Sequence, residues 1–301
     1  MNDFTPSGPG VILVCSGGGI HGAAQAGMLA ELFAAGFSCD AVVGVSAGAC
    51  NAIEVAASPS TETAERLCTV WGDVDTSGML PGSKRAQFVN LIANRSGESR
   101  QAMLRQLLGA ALSITELAEC QLPVHVGTVD VLTGETVWFS SGPALDVLCA
   151  SAALPGVFPP VRIDDRDLYD GGVTDALPLR RAVELGARGI VALDVTKLAD
   201  SSTITSHLKM LRRGVEHTRE ALRQAHIEAV PATTALAVIR APHAGASSMT
   251  EEVAVGRAVM REWLDNHPLR SVAEPAATPL AKVRWWRRSA TSASPQRSTH
   301  S

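Results

Sequence analysis

The chain has no large excess of charge of either sign. Its 26 Lys and Arg stand against 30 Asp and Glu over 301 residues, a formal net charge of −4. That balance excludes the basic footprint of a nucleic-acid-binding protein. It also lacks a long hydrophobic run at its start: Met1 to Gly10 is polar, and the apolar stretch that follows, Val11 to Cys15, is only five residues. A secretory h-region requires roughly 7–15 apolar residues and a membrane span about 20, so neither is expected here. Metal-ligand spacing is missing as well. The six cysteines, Cys15, Cys39, Cys50, Cys68, Cys120 and Cys149, form no C-x-x-C pair, and most lie in apolar segments where thiols behave as small core residues. A reducing cytoplasm, with no metal and no cofactor, is the expectation.

What the chain does have is apolar content: 46% hydrophobic against 19% charged, enough for one sizeable core. Near its start are two glycine-rich turns, each following a short apolar run. The first is Gly17-Gly18-Gly19-Ile20-His21-Gly22 after Val11 to Cys15, and the second is Gly44-Val45-Ser46-Ala47-Gly48 after Ala41-Val42-Val43. The second places a serine in a Gly-x-Ser-x-Gly setting between a strand and a helix. There a strained backbone pushes the hydroxyl out toward substrate, and small neighbours let other backbone approach. The helix behind it aims unpaired amides at that hydroxyl, Ala47 first among them as an oxyanion donor. The plainer reading is a serine that merely caps a helix. The apolar strand before it and the small-residue helix after it favour the nucleophile.

The first turn also satisfies Gly-x-Gly-x-x-Gly, the dinucleotide fingerprint. That oxidoreductase reading needs an acidic residue at the end of the second strand, whereas the candidate, Asp40, stands before it. In an esterase, the same glycines present bare N–H groups beside the serine oxygen. A serine needs a base within reach. Asp170, followed by Gly171 and Gly172, is a carboxylate able to enter a crowded site, though its spacing equally fits a plain Asp-Gly hairpin turn.

Four blocks, in order, resemble the signature blocks of the patatin-like phospholipases. They are Gly17-Gly18-Gly19-Ile20-His21-Gly22, Gly44-Val45-Ser46-Ala47-Gly48, the segment Ala150-Ser151-Ala152-Ala153-Leu154-Pro155-Gly156-Val157-Phe158-Pro159-Pro160, and Asp170-Gly171-Gly172. The resemblance implies a three-layer α/β/α fold with a central, mostly parallel sheet. It implies a Ser46–Asp170 dyad without histidine in the proton relay, an oxyanion hole at Gly17 to Gly19, and cleavage of fatty-acyl esters of lipids without a metal. Gly22, Gly44, Gly48, Gly171 and Gly172 support those motifs. The family usually carries Arg or Lys where this chain has His21. A histidine with its ordinary pKa of about 6.5 would make activity on anionic lipids fall as pH rises through neutrality; a purely structural role in the first helical turn is the alternative. Two further readings stand beside the dyad. One is a Ser…Asp…His triad drawing on His207, His217, His226, His243, His267 or His300. The other is a catalytically silent binding or regulatory module that keeps the fold.

Along the chain, strands are expected at 11–15, 41–44, 124–131, 135–139, 189–195 and 234–240, with a short hairpin running into Asp170. Helices are expected at 22–35, from Ser46 to about Ala57, and at 61–72, 84–94, 98–109, 143–152, 178–186, 203–228 and 248–266, with a capping box at Ser113 to Glu116. Residues 1–10 read as an N-terminal extension and 11–267 as the acyl hydrolase domain. Within that domain, a helical insert over about 58–120 either packs ordinarily or serves as wall or lid of the acyl pocket. From Pro268 onward the tail is rich in Pro, Ser, Thr and Ala, with Trp285-Trp286 among basic residues. It is expected to be disordered, with peripheral contact to an anionic membrane as its functional reading.

Overall fold

The computed structural model describes residues 10–76, 96–196, 207–242 and 248–267. In chain order the elements are β1 (Val11–Cys15), α1 (Gly22–Ala34), β2 (Ala41–Val45), α2 (Ala47–Ala57), α3 (Thr61–Thr76), α4 (Gly97–Gly109), β3 (Val124–Asp130), β4 (Thr136–Phe139), α5 (Ala144–Ser151), β5 (Val161–Ile163), β6 (Arg166–Asp170), α6 (Leu179–Glu184), β7 (Gly189–Asp194), α7 (His207–Glu228), β8 (Ala235–Arg240) and α8 (Met249–Asn266). One eight-stranded sheet runs β5-β6-β3-β2-β1-β7-β8, with β4 also paired to β3. Strands β3, β2, β1, β7 and β8 are parallel, while β4, β5 and β6 form an antiparallel margin.

The sheet is covered on both faces, which is why β1, β2 and β7 read as nearly unbroken apolar runs instead of alternating ones. Leu13, Cys15, Val42, Val191 and Leu193 point into the larger core with α1, α2 and α3. The residues between them, Ile12, Val14, Val43, Ile190 and Ala192, point the other way, onto Leu179 and Ala182 of α6 and Ile227 of α7. The architecture is the expected three-layer α/β/α arrangement around a mostly parallel sheet.

Helix α1 is buried on nearly every side, packed between the sheet, α3 and α8. Two glycines set how closely α1 and α8 approach. A Cβ at Gly27 would overlap the Val253 carbonyl oxygen, and one at Gly256 would overlap that of Ala24. Replacing Gly256 by alanine therefore forces the helices apart, and we expect a loss of about 3 kcal/mol in unfolding free energy. Urea titration checks this; an unchanged midpoint would show that the crossing is not so tight.

The described part of the 58–120 region is packed onto the body of the fold. Helix α3 lies against α1 and α8, and Leu104 of α4 packs on Cys149 and Ala150 of α5. The capping box is found three residues beyond its expected place, at Glu116 and Glu119, because the Ser113 amide instead donates to buried Glu54 at 2.8 Å. The helix expected at 84–94 and the tail with Trp285 and Trp286 lie outside the described residues. All six cysteines are free, and burial pushes the Cys50 thiol up to about 12, so it packs as a small apolar side chain. Among the described residues no helix is long and apolar enough to cross a membrane.

Candidate active site

Strand register brings the two key residues together. Val45 at the end of β2 lies beside Gly127 of β3, and the next β3 residue, Thr128, lies beside Asp170 at the end of β6. Ser46 leaves β2 at φ 55°, ψ −127°, a region that side chains other than glycine's avoid. Although Ser46 sits at the N-cap position of α2, its side chain makes no capping hydrogen bond. Its hydroxyl donates instead to Asp170 Oδ2 at 2.7 Å, across 124 positions of chain. The Ser46 side chain is therefore engaged with Asp170 and not with the helix amides behind it.

Asp170 is almost wholly buried, and its other oxygen, Oδ1, accepts from the Gly172 amide at 2.7 Å. Burial raises its pKa above the ordinary carboxylate value. The Ser46 hydroxyl, the Gly172 amide and the charge of Arg219 pull in the opposite direction without cancelling that rise. A carboxylate so placed can take a proton from the hydroxyl it touches.

The glycine loop runs alongside. Gly19 holds φ +59°, and a Cβ at Gly18 would come within 2.5 Å of the Val195 carbonyl oxygen. Among the described residues nothing accepts from the amides of Gly18, Gly19 or Ala47. Gly17 differs from expectation: its N–H donates to the Ala176 carbonyl at 2.9 Å and is thereby committed to the scaffold. The cradle of available donors narrows to Gly18, Gly19 and Ala47. The other motif glycines are spacers. Gly48 lets α2 approach β1, where a Cβ would overlap the Cys15 carbonyl oxygen, and Gly44 backs onto the same helix. Gly22 faces Trp71, and Gly171 lies on Gly127.

A Patatin-like phospholipase family profile matches residues 13–183, more than half of the chain. The chain belongs to the patatin-like phospholipase family. An uncharacterised NTE family protein of Mycobacterium tuberculosis is 29% identical over 201 residues, covering 63% of this chain and 50% of its own length. The lysophospholipase NTE1 of Cryptococcus neoformans is 26% identical over 208 residues, which is 67% of this chain and 12% of the fungal protein. This patatin-like chain thus spans about half the length of the mycobacterial relative and a smaller part of the fungal one. Among solved structures, VipD from Legionella pneumophila has a TM-score of 0.47 at 14% identity, with 86% of this chain and 67% of VipD covered.

Two features of the patatin-like site had no assigned role in the sequence. Ser151, the last residue of α5, is fully buried; its Oγ accepts from the Ser46 amide at 2.9 Å and donates to the Gly127 carbonyl at 2.7 Å. It stands within the third signature block, but nothing in that block announces which neighbour it serves. Ser151→Ala leaves the Ser46 amide and the Gly127 carbonyl without this partner, and a loss of about 1–3 kcal/mol in stability is expected. Denaturant titration measures it, and an unchanged midpoint would mean that both groups find new partners. The second feature is a buried amide network under the glycine loop. Gln25 donates to the carbonyls of Leu193 at 2.9 Å and Ser16 at 3.3 Å, Asn51 donates to Gln25 Oε1 and to the Gly22 carbonyl at 3.0 Å each, and Trp71 donates to Asn51 at 2.9 Å. Such a fully paired network holds a loop in one conformation.

The remaining candidates make other contacts, some of them far from Ser46 and Asp170. His21 is buried, its Nδ1 3.0 Å from Glu252 of α8, a contact that ties the glycine loop to a helix 231 positions away. Asp40 lies at the opposite, N-terminal end of the strands, where its carboxylate accepts from the amides of Gly10 and Val11 at 3.0 and 2.9 Å. It is therefore engaged away from the loop where a ribose would have to sit. His226 pairs with Asp175 at 3.0 Å and His267 stacks on Trp263; among the described residues no histidine hydrogen bonds to Ser46 or Asp170. Of the two groups in β3, Asp130 caps its own hairpin turn through the Leu132 and Thr133 amides, and His125 meets Arg181. Among the described residues no three His, Cys, Asp or Glu side chains converge as metal ligands would.

Proposed function

We propose that this chain is a serine acyl hydrolase acting on fatty-acyl esters of lipids, as an esterase, phospholipase A or lysophospholipase. The observation that carries this reading is the 2.7 Å hydrogen bond from a serine at positive φ to a buried aspartate, beside amides with no acceptor among the described residues. Family membership and a relative named lysophospholipase support the substrate class.

In this reading Asp170 takes the Ser46 proton as Oγ attacks the acyl carbonyl. The amides of Gly18, Gly19 and Ala47 receive the negative charge that develops on the carbonyl oxygen. Asp170 returns the proton to the departing alcohol and then activates a water that releases the fatty acid from Ser46. Imidazole has no part in this relay. Burial suits the carboxylate to the role, because it raises the proton affinity of a group otherwise too weak a base for an alcohol. Ser151 acts on the reaction through the Ser46 backbone, holding the residue in its strained conformation.

The test is covalent labelling of the purified chain by a fluorophosphonate, followed by peptide mapping, together with release of fatty acid from lysophosphatidylcholine. Modification confined to Ser46 and lost on heat denaturation is expected. A chain that is neither labelled nor able to turn over any acyl ester would instead be a silent module with the same fold.

A further inference from the structure

Helix α7 carries a stripe of basic residues that turns toward the sheet. Residues 219, 223 and 226 follow the i, i+4, i+7 pattern of one helical face. Two of the three have carboxylate partners: Arg223 Nε lies 2.6 Å from Asp194 Oδ2, and His226 Nδ1 lies 3.0 Å from Asp175 Oδ1. Arg219, one turn earlier, has none among the described residues. Its Nε is shielded from solvent and meets no acceptor among the described residues. Its nearest consequence is electrostatic: it stands close enough to Asp170 to favour the ionised carboxylate. No hydrogen bond joins the two, since Asp170 accepts from the Ser46 hydroxyl and the Gly172 amide and the Arg219 Nε has no acceptor among the described residues.

A guanidinium N–H removed from water without an acceptor is costly, and a bound ion or ligand is one of the ways such a group is satisfied; the Nε atoms of Arg100 and Arg181 are also unpaired, but Arg219 is the one of the three whose charge acts on Asp170. The planar fork of arginine matches two oxygens of one phosphate. The glycine loop brings no competing arginine or lysine to the site, since its basic position is His21, engaged with Glu252. We propose that Arg219 is the anion-binding residue of this site and receives the phosphodiester of a lysophospholipid headgroup while Ser46 attacks the acyl ester. This assignment rests on the acyl hydrolase reading and adds to it the substrate group that Arg219 recognises.

The experiment compares the full-length wild-type chain with Arg219→Gln and Arg219→Lys. Each is assayed on lysophosphatidylcholine and on p-nitrophenyl butyrate, which has no phosphate. The glutamine variant is expected to lose about tenfold or more in kcat/KM on the phospholipid beyond its loss on the neutral ester, chiefly through KM, and lysine to restore part of it. Equal losses on both esters would overturn the proposal. Calorimetry with glycerophosphocholine and with inorganic phosphate gives a readout free of turnover. Glycerophosphocholine binding that Arg219→Gln weakens at least tenfold supports the headgroup assignment. Phosphate binding without glycerophosphocholine binding, or no difference between variants, overturns it. A wild-type chain that hydrolyses neither ester refutes the acyl hydrolase reading alone, and the binding arm still judges Arg219.

Discussion

Ser46→Ala is expected to lower ester turnover by about four to six orders of magnitude and to abolish fluorophosphonate labelling. The size follows from the geometry. Ser46 is the group whose oxygen bonds covalently to substrate in the proposed reaction, and among the described residues no other hydroxyl hydrogen bonds to the Asp170 carboxylate. Alanine keeps the positive φ, so the elbow and its cradle of amides remain while the nucleophile is gone. A paired variant isolates the strain. Ser46→Gly removes the same oxygen but suits φ 55°, and we expect it to be more stable than Ser46→Ala by about 1–3 kcal/mol. Thermal melts of the two inactive proteins decide this. Equal melting temperatures would mean that the turn stores no strain, and an alanine variant with residual activity above a few per cent would remove Ser46 from the chemistry.

Asp170→Asn is the second large effect, with an expected loss of about 10³–10⁴-fold in kcat as the base is replaced by an amide of similar shape. Two pH statements accompany it. Because burial lifts the Asp170 pKa, the acid limb of kcat/KM should lie above the ordinary aspartate value of about 3.9. A limb at or below that value would contradict the assignment. The linkage to stability runs the opposite way from that of a salt-bridged aspartate. The folded chain holds the Asp170 proton more firmly than the unfolded one, so native stability falls as pH rises from the unfolded pKa through the folded one. Above that window the wild type carries a buried charge that the Asp170→Asn variant lacks. The variant should therefore melt higher than wild type at neutral pH while being nearly inactive, an exchange of stability for function expected of catalytic groups. A melting temperature below that of wild type at neutral pH would argue that Asp170 is a structural ion and not a strained base.

Much of the architecture is legible in the sequence. The apolar runs at Val11, Ala41 and Gly189 became parallel strands of one sheet, and the helices after the two glycine turns begin within a residue or two of their expected positions. Local chemistry suffices for this: an apolar run bounded by glycine specifies a buried strand wherever it finally pairs. The candidate site was legible as motifs but not as bonding. That Gly17 is tied to Ala176, that Ser151 holds the Ser46 amide and that His21 meets Glu252 are facts about distant neighbours, 105 positions apart for the second pair and 231 for the third. Sequence spacing carries no signal for any of them. Arg219 was equally hidden, because on an amphipathic helix a basic residue that turns inward looks the same in sequence as one that faces water.

The order of residues alone thus dictates which chemical groups stand at the ends of which strands, and with them a candidate nucleophile, a candidate base and a glycine cradle. Which of those groups touch is settled only when the sheet assembles. The hydroxyl and the carboxylate meet because β3 lies between β2 and β6, and a shift of one residue in either pairing would turn one of the two side chains to the other face of the sheet. Register is set by the burial of both faces together, a property of the assembled core that no single segment contains.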